Sequence, residues 1–123
     1  PQLLNWARYL DWAEAQGPEH VGTATRVYER CMVACAAYPE FWERYIRWLE
    51  AGARVAEADN ALVRAANVFC KARPEMHLFA ARYDERYGRL DEARARYAHV
   101  LDELSPNLLQ AVVAAANFER RQG

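Results

Sequence analysis

The stretch PEFWERYIRWLEAG, residues 39–52, decides how the rest of the chain is read. Phe41, Trp42, Tyr45, Ile46, Trp48 and Leu49 recur at helical spacing and form one broad apolar face, with a proline ahead and a glycine behind. Proline suits the first helical position because it lacks an N–H that would go unbonded there, and glycine accepts the left-handed backbone of a helix end. The pattern returns along the chain. Trp12, Trp48, Tyr83 and Phe118 stand 36, 35 and 35 residues apart, and Gly17, Gly52, Gly88 or Gly123 comes four or five positions after each. Trp6 and Trp42 precede the first two of these aromatics by six residues, and Tyr9 and Tyr45 by three. A helical repeat of about 35 residues predicts a stacked array of helices rather than one globular core. Arrays of that kind are surfaces for other macromolecules.

On either side of residues 39–52 the units can be drawn. The first opens with a helix over about 2–16, whose inward stripe is Leu3, Trp6, Tyr9, Leu10 and Ala13. Gly17-Pro18 stops it, and a second helix runs over about 19–36 with Val21, Ala24, Val27, Tyr28, Cys31 and Cys35 inward. After the helix of residues 39–52, its partner covers about 54–72 and buries Ala58, Leu62, Ala65, Ala66 and Phe69. Pro74 opens the third unit, where Met76, Leu78, Phe79, Ala80 and Tyr83 precede Gly88, and Leu90, Ala93, Tyr97, Val100 and Leu101 mark the next helix. Ser105-Pro106 reads as a cap with proline at the first helical position, starting a last helix at about residue 106. The expected fold is all-α: about seven helices in three and a half antiparallel pairs, repeats at about 2–38, 39–73, 74–105 and a partial 106–123. The unpaired last helix leads us to expect one segment of a longer array.

The second helices of the pairs also align. Ala24, Ala58 and Ala93 lie 34 and 35 residues apart, Tyr28 matches Tyr97, and Arg30 matches Arg64 and His99. A small residue lets neighbouring helices approach, and the aromatic four positions on fills the space beside it. Arg30 and Arg64, within otherwise apolar faces, are expected to tie to a neighbouring helix.

Composition narrows the function. Apolar residues make up 53% of the 123 and aromatics 12%, so a buried core is available. Sixteen basic residues against 17 acidic ones give a formal net charge of −1, which argues against direct RNA binding and against an anionic membrane surface. Glu40 with Arg44, Glu43 with Arg47 and Glu92 with Arg96 are acid-before-base pairs one helical turn apart, the orientation that supports a solvated helix. The three cysteines, an odd number, read as small apolar core residues rather than a disulfide framework or a metal site. His20, His77 and His99 are isolated, and adjacent acids such as Asp84-Glu85 point about 100° apart on a helix. Neither a phosphate loop nor a nucleophile motif is legible. No enzyme, cofactor or metal is expected.

The aromatic pattern resembles the half-a-TPR, or HAT, repeat of RNA-processing proteins. The first helix of that repeat reads Trp, two residues, Tyr, two residues, an aromatic, then an acid. Trp6-Tyr9-Trp12 and Trp42-Tyr45-Trp48 keep it; His77-Ala80-Tyr83-Asp84 and Val112-Ala115-Phe118-Glu119 are degraded versions, and Leu49 stands where an acid is expected. The second helix reads Ala-Arg-x-x-Tyr-Glu-Arg-Ala, matched by Tyr28-Glu29-Arg30-Cys31 with Pro39 and in part by Ala93-Arg94-Ala95-Arg96-Tyr97. The TPR signature itself is missing. Asn5-Trp6 through Tyr9-Leu10, Glu40-Phe41-Trp42 through Tyr45, Met76-His77-Leu78 and Glu119-Arg120-Arg121 are similar, more narrowly, to the C-terminal HAT region of the pre-mRNA-processing factor 39 family.

That resemblance implies a nuclear, non-catalytic scaffold of the U1 snRNP, acting in 5′ splice-site recognition. Its implied partners are other U1 snRNP proteins and a second HAT chain, as a homodimer or a pairing with a related HAT protein through the full-length array. Two other readings share these features: a HAT scaffold of a 3′-end cleavage or ribosome-biogenesis complex, and a direct RNA-binding helical-repeat module.

Overall fold

The computed structural model describes residues 2–123, and among them the chain is all-α, with seven α-helices and no strand. These are α1 (Leu3–Ala15), α2 (Val21–Ala34), α3 (Pro39–Ala51), α4 (Val55–Arg64), α5 (Pro74–Arg86), α6 (Leu90–His99) and α7 (Leu109–Gln122). The chain divides into two compact units, Pro1–Ala61 and Leu62–Gly123.

In the first unit α2 lies between α1 and α3. Its inner face carries Ala24, Val27, Tyr28, Cys31 and Met32, all buried, against Leu10 and Ala13 of α1 and Trp42, Tyr45, Ile46 and Leu49 of α3. Pro39 occupies the first position of α3, after Tyr38 in extended backbone. Some residues expected to face inward face solvent instead. Val21 is 41% exposed, because the second helix begins with a short 3-10 turn, Pro18–His20, that places Val21 at its rim. Tyr9 and Trp12 are the larger correction, at 37% and 52% exposed. Three-residue steps lag a helical turn, so Trp12 points about 160° away from buried Leu10. In α3 the matching ridge is covered by Tyr28 of the preceding helix; α1 has no described helix before it.

In the second unit Leu78 and Ala81 of α5, Ala93 and Tyr97 of α6, Val100, and Ala111 and Phe118 of α7 form one core. Pro74 starts α5 as Pro39 starts α3. The helix of which α4 is the start ends in a π-helical turn, Ala65–Phe69, closed by the Cys70 N–H on the Ala65 carbonyl at 2.7 Å. The helix begun by α6 ends the same way 35 residues on, over Val100–Leu104, closed by Ser105 N–H on the Val100 carbonyl at 2.8 Å. One extra residue in the turn rotates the residues after it about the helix axis. Phe69 is therefore 49% exposed, against expectation, and Cys70 takes the inward place at 1%.

The last helix also differs from expectation. Ser105-Pro106 does not cap it; Leu108 N–H bonds the Ser105 carbonyl at 3.2 Å, so Pro106 occupies the second position of a turn and α7 begins at Leu109. Cys35 with Tyr38 and Cys70 with Arg73 close the same turn, at 3.1 and 2.9 Å. Helix starts at Pro39, Pro74 and Leu109 thus keep the 35-residue interval.

The residue that needs left-handed backbone falls five positions after each repeat aromatic. Gly17 and Gly88 hold φ of 97° and 76°, but in the second repeat Ala53 does so at 60° while Gly52 sits at −88°. Ala53 N–H bonds the Glu50 carbonyl and Arg54 N–H the Leu49 carbonyl; Gly88 and Arg89 repeat both bonds on Glu85 and Asp84. This double closure demands the left-handed residue. Alanine there is strained, so Ala53→Gly is expected to raise thermal stability by about 0.5–1 kcal/mol, after the entropy glycine adds to the unfolded chain. Gly88→Ala, with open space around the added carbon, is expected to lose about 1 kcal/mol through backbone strain alone. Equal melting of both variants and the parent would contradict this.

Candidate functional site

The polar groups of the first unit converge on Arg44. Its Nε donates to the Tyr28 hydroxyl at 3.1 Å, Nη2 to Asp11 at 2.7 Å and to Glu14 at 3.2 Å, and Nη1 to the Ala7 carbonyl at 3.4 Å. The Tyr28 hydroxyl in turn donates to Glu14. One guanidinium on α3 therefore ties down α1 and α2 together, as its planar fork allows. Burial raises the Tyr28 pKa above the ordinary phenol range, and the Glu14 carboxylate adds to it; burial alone would lower Arg44, but its bond to Asp11 and the Tyr28 and Glu14 groups raise it.

Tyr28 is also the centre of an aromatic stack. Its ring lies 4.8 Å from Tyr45 and 5.0 Å from Trp48, nearly parallel to the former at 14°. The Arg54 guanidinium sits 5.4 Å from the Trp48 ring and bonds Thr25 of α2 at 2.8 Å and Glu57 at 2.8 Å. Beside this stack lies an open groove of about 490 Å³, lined by Ala13, Pro18, Val21, Trp48 and Gly52 among others. Among the described residues the Trp6, Tyr9 and Trp12 rings follow one another along α1, tilted by 31° with centroids 6.0 and 5.9 Å apart. All three cysteines are free and buried, and burial, with the Cys35 thiol second, pushes Cys31 up to about 12. The Cys31 thiol stays protonated, and all three side chains act as core.

In the second unit Tyr97 and Phe118 pack at 5.2 Å, and Arg94 lies 5.4 Å over Phe118 while bonding Glu119 at 2.8 and 3.0 Å. Arg121 forks onto Glu85 at 2.6 and 2.7 Å, joining α7 to α5. Asp84 is 4% exposed, with Arg89 at 3.4 Å and Arg96 at 4.0 Å. Burial raises its pKa against the pull of both arginines. Buried His77 holds the place that Trp42 holds 35 residues earlier, and makes the same bond. Trp42 Nε1 donates to the Ala36 carbonyl at 2.8 Å, and His77 Nε2 meets the Lys71 carbonyl at 2.7 Å.

Of the repeat-motif residues, Tyr28, Trp42, Tyr45, Tyr83, Tyr97 and Phe118 are buried; Trp6, Trp48 and Arg64 are half-buried; Tyr9, Trp12 and Arg30 are exposed or nearly so. The expectation for Arg30 is overturned. It makes no hydrogen bond or ion pair to the described residues, because it lies on the outer face of α2, two positions past the inward Tyr28 and so about 160° round the helix from it. Arg44, Arg54 and Arg96 do the tying instead. Arg44 and Arg96 turn away from Glu40 and Glu92 toward other helices, and only the Glu43–Arg47 pair forms as expected, at 3.5 Å. The acids had a signal of their own in the sequence: Glu14, Glu50 and Glu85 keep the 36- and 35-residue intervals.

Among the described residues no group of three or more His, Cys, Asp or Glu side chains is placed to hold a metal ion, and no buried side-chain polar atom lacks a partner. Among the same residues no helix is long and apolar enough to cross a membrane. The surface consists of helix faces many of whose titratable groups are committed to one another. Residues 1–121 match the family described as the PRP39 C-terminal HAT repeat. The chain belongs to that family. It is 37% identical over 122 residues to pre-mRNA-processing factor 39-2 of Arabidopsis thaliana, covering 99% of this chain and 12% of that protein. Against pre-mRNA-processing factor 39 of Schizosaccharomyces pombe the identity is 36% over 122 residues, 98% of this chain and 19% of the relative. Against the Homo sapiens protein of that name it is 29% over 122 residues, covering 99% and 18%. The chain thus spans less than a fifth of the length of these relatives. Helix pairs of the HAT class, expected from the aromatic spacing, are what the family and the seven helices show.

Proposed function

We propose that this chain is a non-catalytic protein-interaction segment of a HAT array that acts in the nucleus in pre-mRNA splicing, as a scaffold within the U1 snRNP during 5′ splice-site recognition. The observation that carries the reading is the family match over residues 1–121, joined by relatives named as pre-mRNA-processing factors. The side chains support a scaffold. Arg44, Arg54, Arg94 and Arg121 are each bonded to an acid, so these basic residues brace the helices. The partners we propose are other U1 snRNP proteins and, through the full-length array, a second copy or a related HAT protein.

Purification of the tagged full-length protein tests this. U1 particle proteins are expected to come with it; recovery of 3′-end cleavage or ribosome-biogenesis factors in their place would overturn the assignment. Direct RNA binding by this segment is not expected. Affinity for RNA rests on phosphate neutralisation, and it shows as a steep loss with salt. An anisotropy titration at about 150 mM salt with U1 RNA and an unrelated RNA should give no submicromolar binding. Tight binding with a steep salt slope would replace the scaffold with an RNA-binding module.

A further inference from the structure

The histidine that replaces Trp42 in the second unit does more than fill its place. His77 is 4% exposed, with Nε2 2.7 Å from the Lys71 carbonyl and Nδ1 3.1 Å from Arg96 Nη1. A guanidinium can only donate, so Nδ1 accepts, and the single ring proton sits on Nε2 facing the carbonyl. Both nitrogens of the neutral ring are satisfied. A second proton could bind only at Nδ1, where it would point at the N–H of Arg96 and break that bond.

The surroundings add to the cost of charging this ring. From α6, Arg96 and His99 face it, the two imidazoles edge to face with centroids 4.8 Å apart. Arg96 also donates to Asn67 of the preceding π turn at 3.1 Å and lies 4.0 Å from Asp84 of α5, while His99 pairs with Glu103 at 2.7 Å. The acids nearby are thus held by the other two bases, and His77 has none of its own.

We propose that His77, clasped between Arg96, His99 and the Lys71 carbonyl, is a proton-operated latch between α5 and α6: the neutral ring holds the two helices together and the protonated ring releases them. Burial lowers the His77 pKa most, and the Arg96 and His99 charges lower it further, against the raising effect of the Lys71 carbonyl. The folded value lies below the unfolded one near 6.5, so the stability that the latch contributes is complete above about pH 6.5. It is lost as pH falls from there through the folded value. Asp84 works in the opposite direction, since a carboxyl with a raised folded pKa takes up a proton more readily in the folded chain. The first unit contains the control. Trp42 makes the equivalent bond to Ala36 with an indole that does not titrate.

Two measurements on the 123-residue chain between about pH 7.5 and 5 test the latch. NMR follows the His77 ring, and hydrogen exchange, corrected for intrinsic rates, follows amide protection helix by helix. Protection in α5 and α6 is expected to fall from about pH 6.5 down to the pH at which the His77 ring charges, while α2 and α3 keep theirs. In His77→Gln, whose amide keeps one donor and one acceptor without titrating, the acid-dependent loss in α5 and α6 is expected to vanish. The parent titration decides by itself if that variant does not fold. Three results would overturn the proposal: a His77 ring that charges with α5 and α6 still protected, an equal loss in both units, or an unchanged acid loss in His77→Gln.

Discussion

Replacing Trp42 by alanine is expected to cost the first unit about 3–5 kcal/mol, the range for a large buried aromatic cut back to a methyl group. Trp42 is wholly buried, and its indole N–H is bonded to the Ala36 carbonyl. The mutation removes apolar contact, opens a cavity beside α3 and takes away the indole N–H that donates to that carbonyl. Trp12→Ala, at a position that looks equally important in the sequence, is expected to change stability by about 0.5 kcal/mol or less, because its ring is half in solvent. Trp48→Ala should fall between them, since that ring is covered by Tyr28 on one side and Arg54 on another but borders the groove. Chemical denaturation of the three variants checks the order. A Trp12 variant as destabilised as the Trp42 variant would mean that α1 packs through the other face of its aromatic ridge.

That ordering marks the limit of what spacing discloses. Helix existence was legible because Phe41, Trp42, Tyr45, Ile46 and Leu49 recur at one period and Pro39 and Pro74 punctuate it. Which side of an aromatic ridge is covered depends on a neighbouring helix, so Trp12 and Trp48 read alike and pack differently. Pro106 misplaced the start of α7 because proline serves a turn and a first helical position equally well; the 35-residue register from Pro39 and Pro74 points to Leu109. The π turn at Ala65–Phe69 inserts a residue that leaves no mark in composition, and it exchanges Phe69 for Cys70 in the core. Arginines were harder still. Arg30 sits in a motif position yet faces out, while Arg44 looks like half of a surface pair and reaches two other helices. A long, flexible cation is placed by whichever acids and carbonyls the fold brings near, and for Arg44 those on α1 are set 30 or more residues away in sequence.

Arg44→Ala is expected to destabilise the first unit by about 2 kcal/mol. A hydrogen bond to a charged group contributes roughly 1.5–3 kcal/mol when sheltered, and the sum over several bonds is discounted here because the groups are screened. The Arg44 side chain is 28% exposed, Glu14 32% and Asp11 71%, so Asp11 contributes least. Most of the loss comes from the Tyr28–Glu14 pair, which keeps its own bond but loses the cation that neutralises it beside a buried ring. A cycle of Arg44→Ala with Glu14→Gln should therefore be strongly non-additive, the double variant losing clearly less than the sum of the singles. Arg30→Ala, from the outer face of α2, is expected to melt within about 0.5 kcal/mol of the parent. Urea denaturation of the four variants measures all of this. An additive cycle would show that Arg44 and Glu14 act separately, and a large Arg30 effect would move the brace between helices back to the position that the repeat motif suggested.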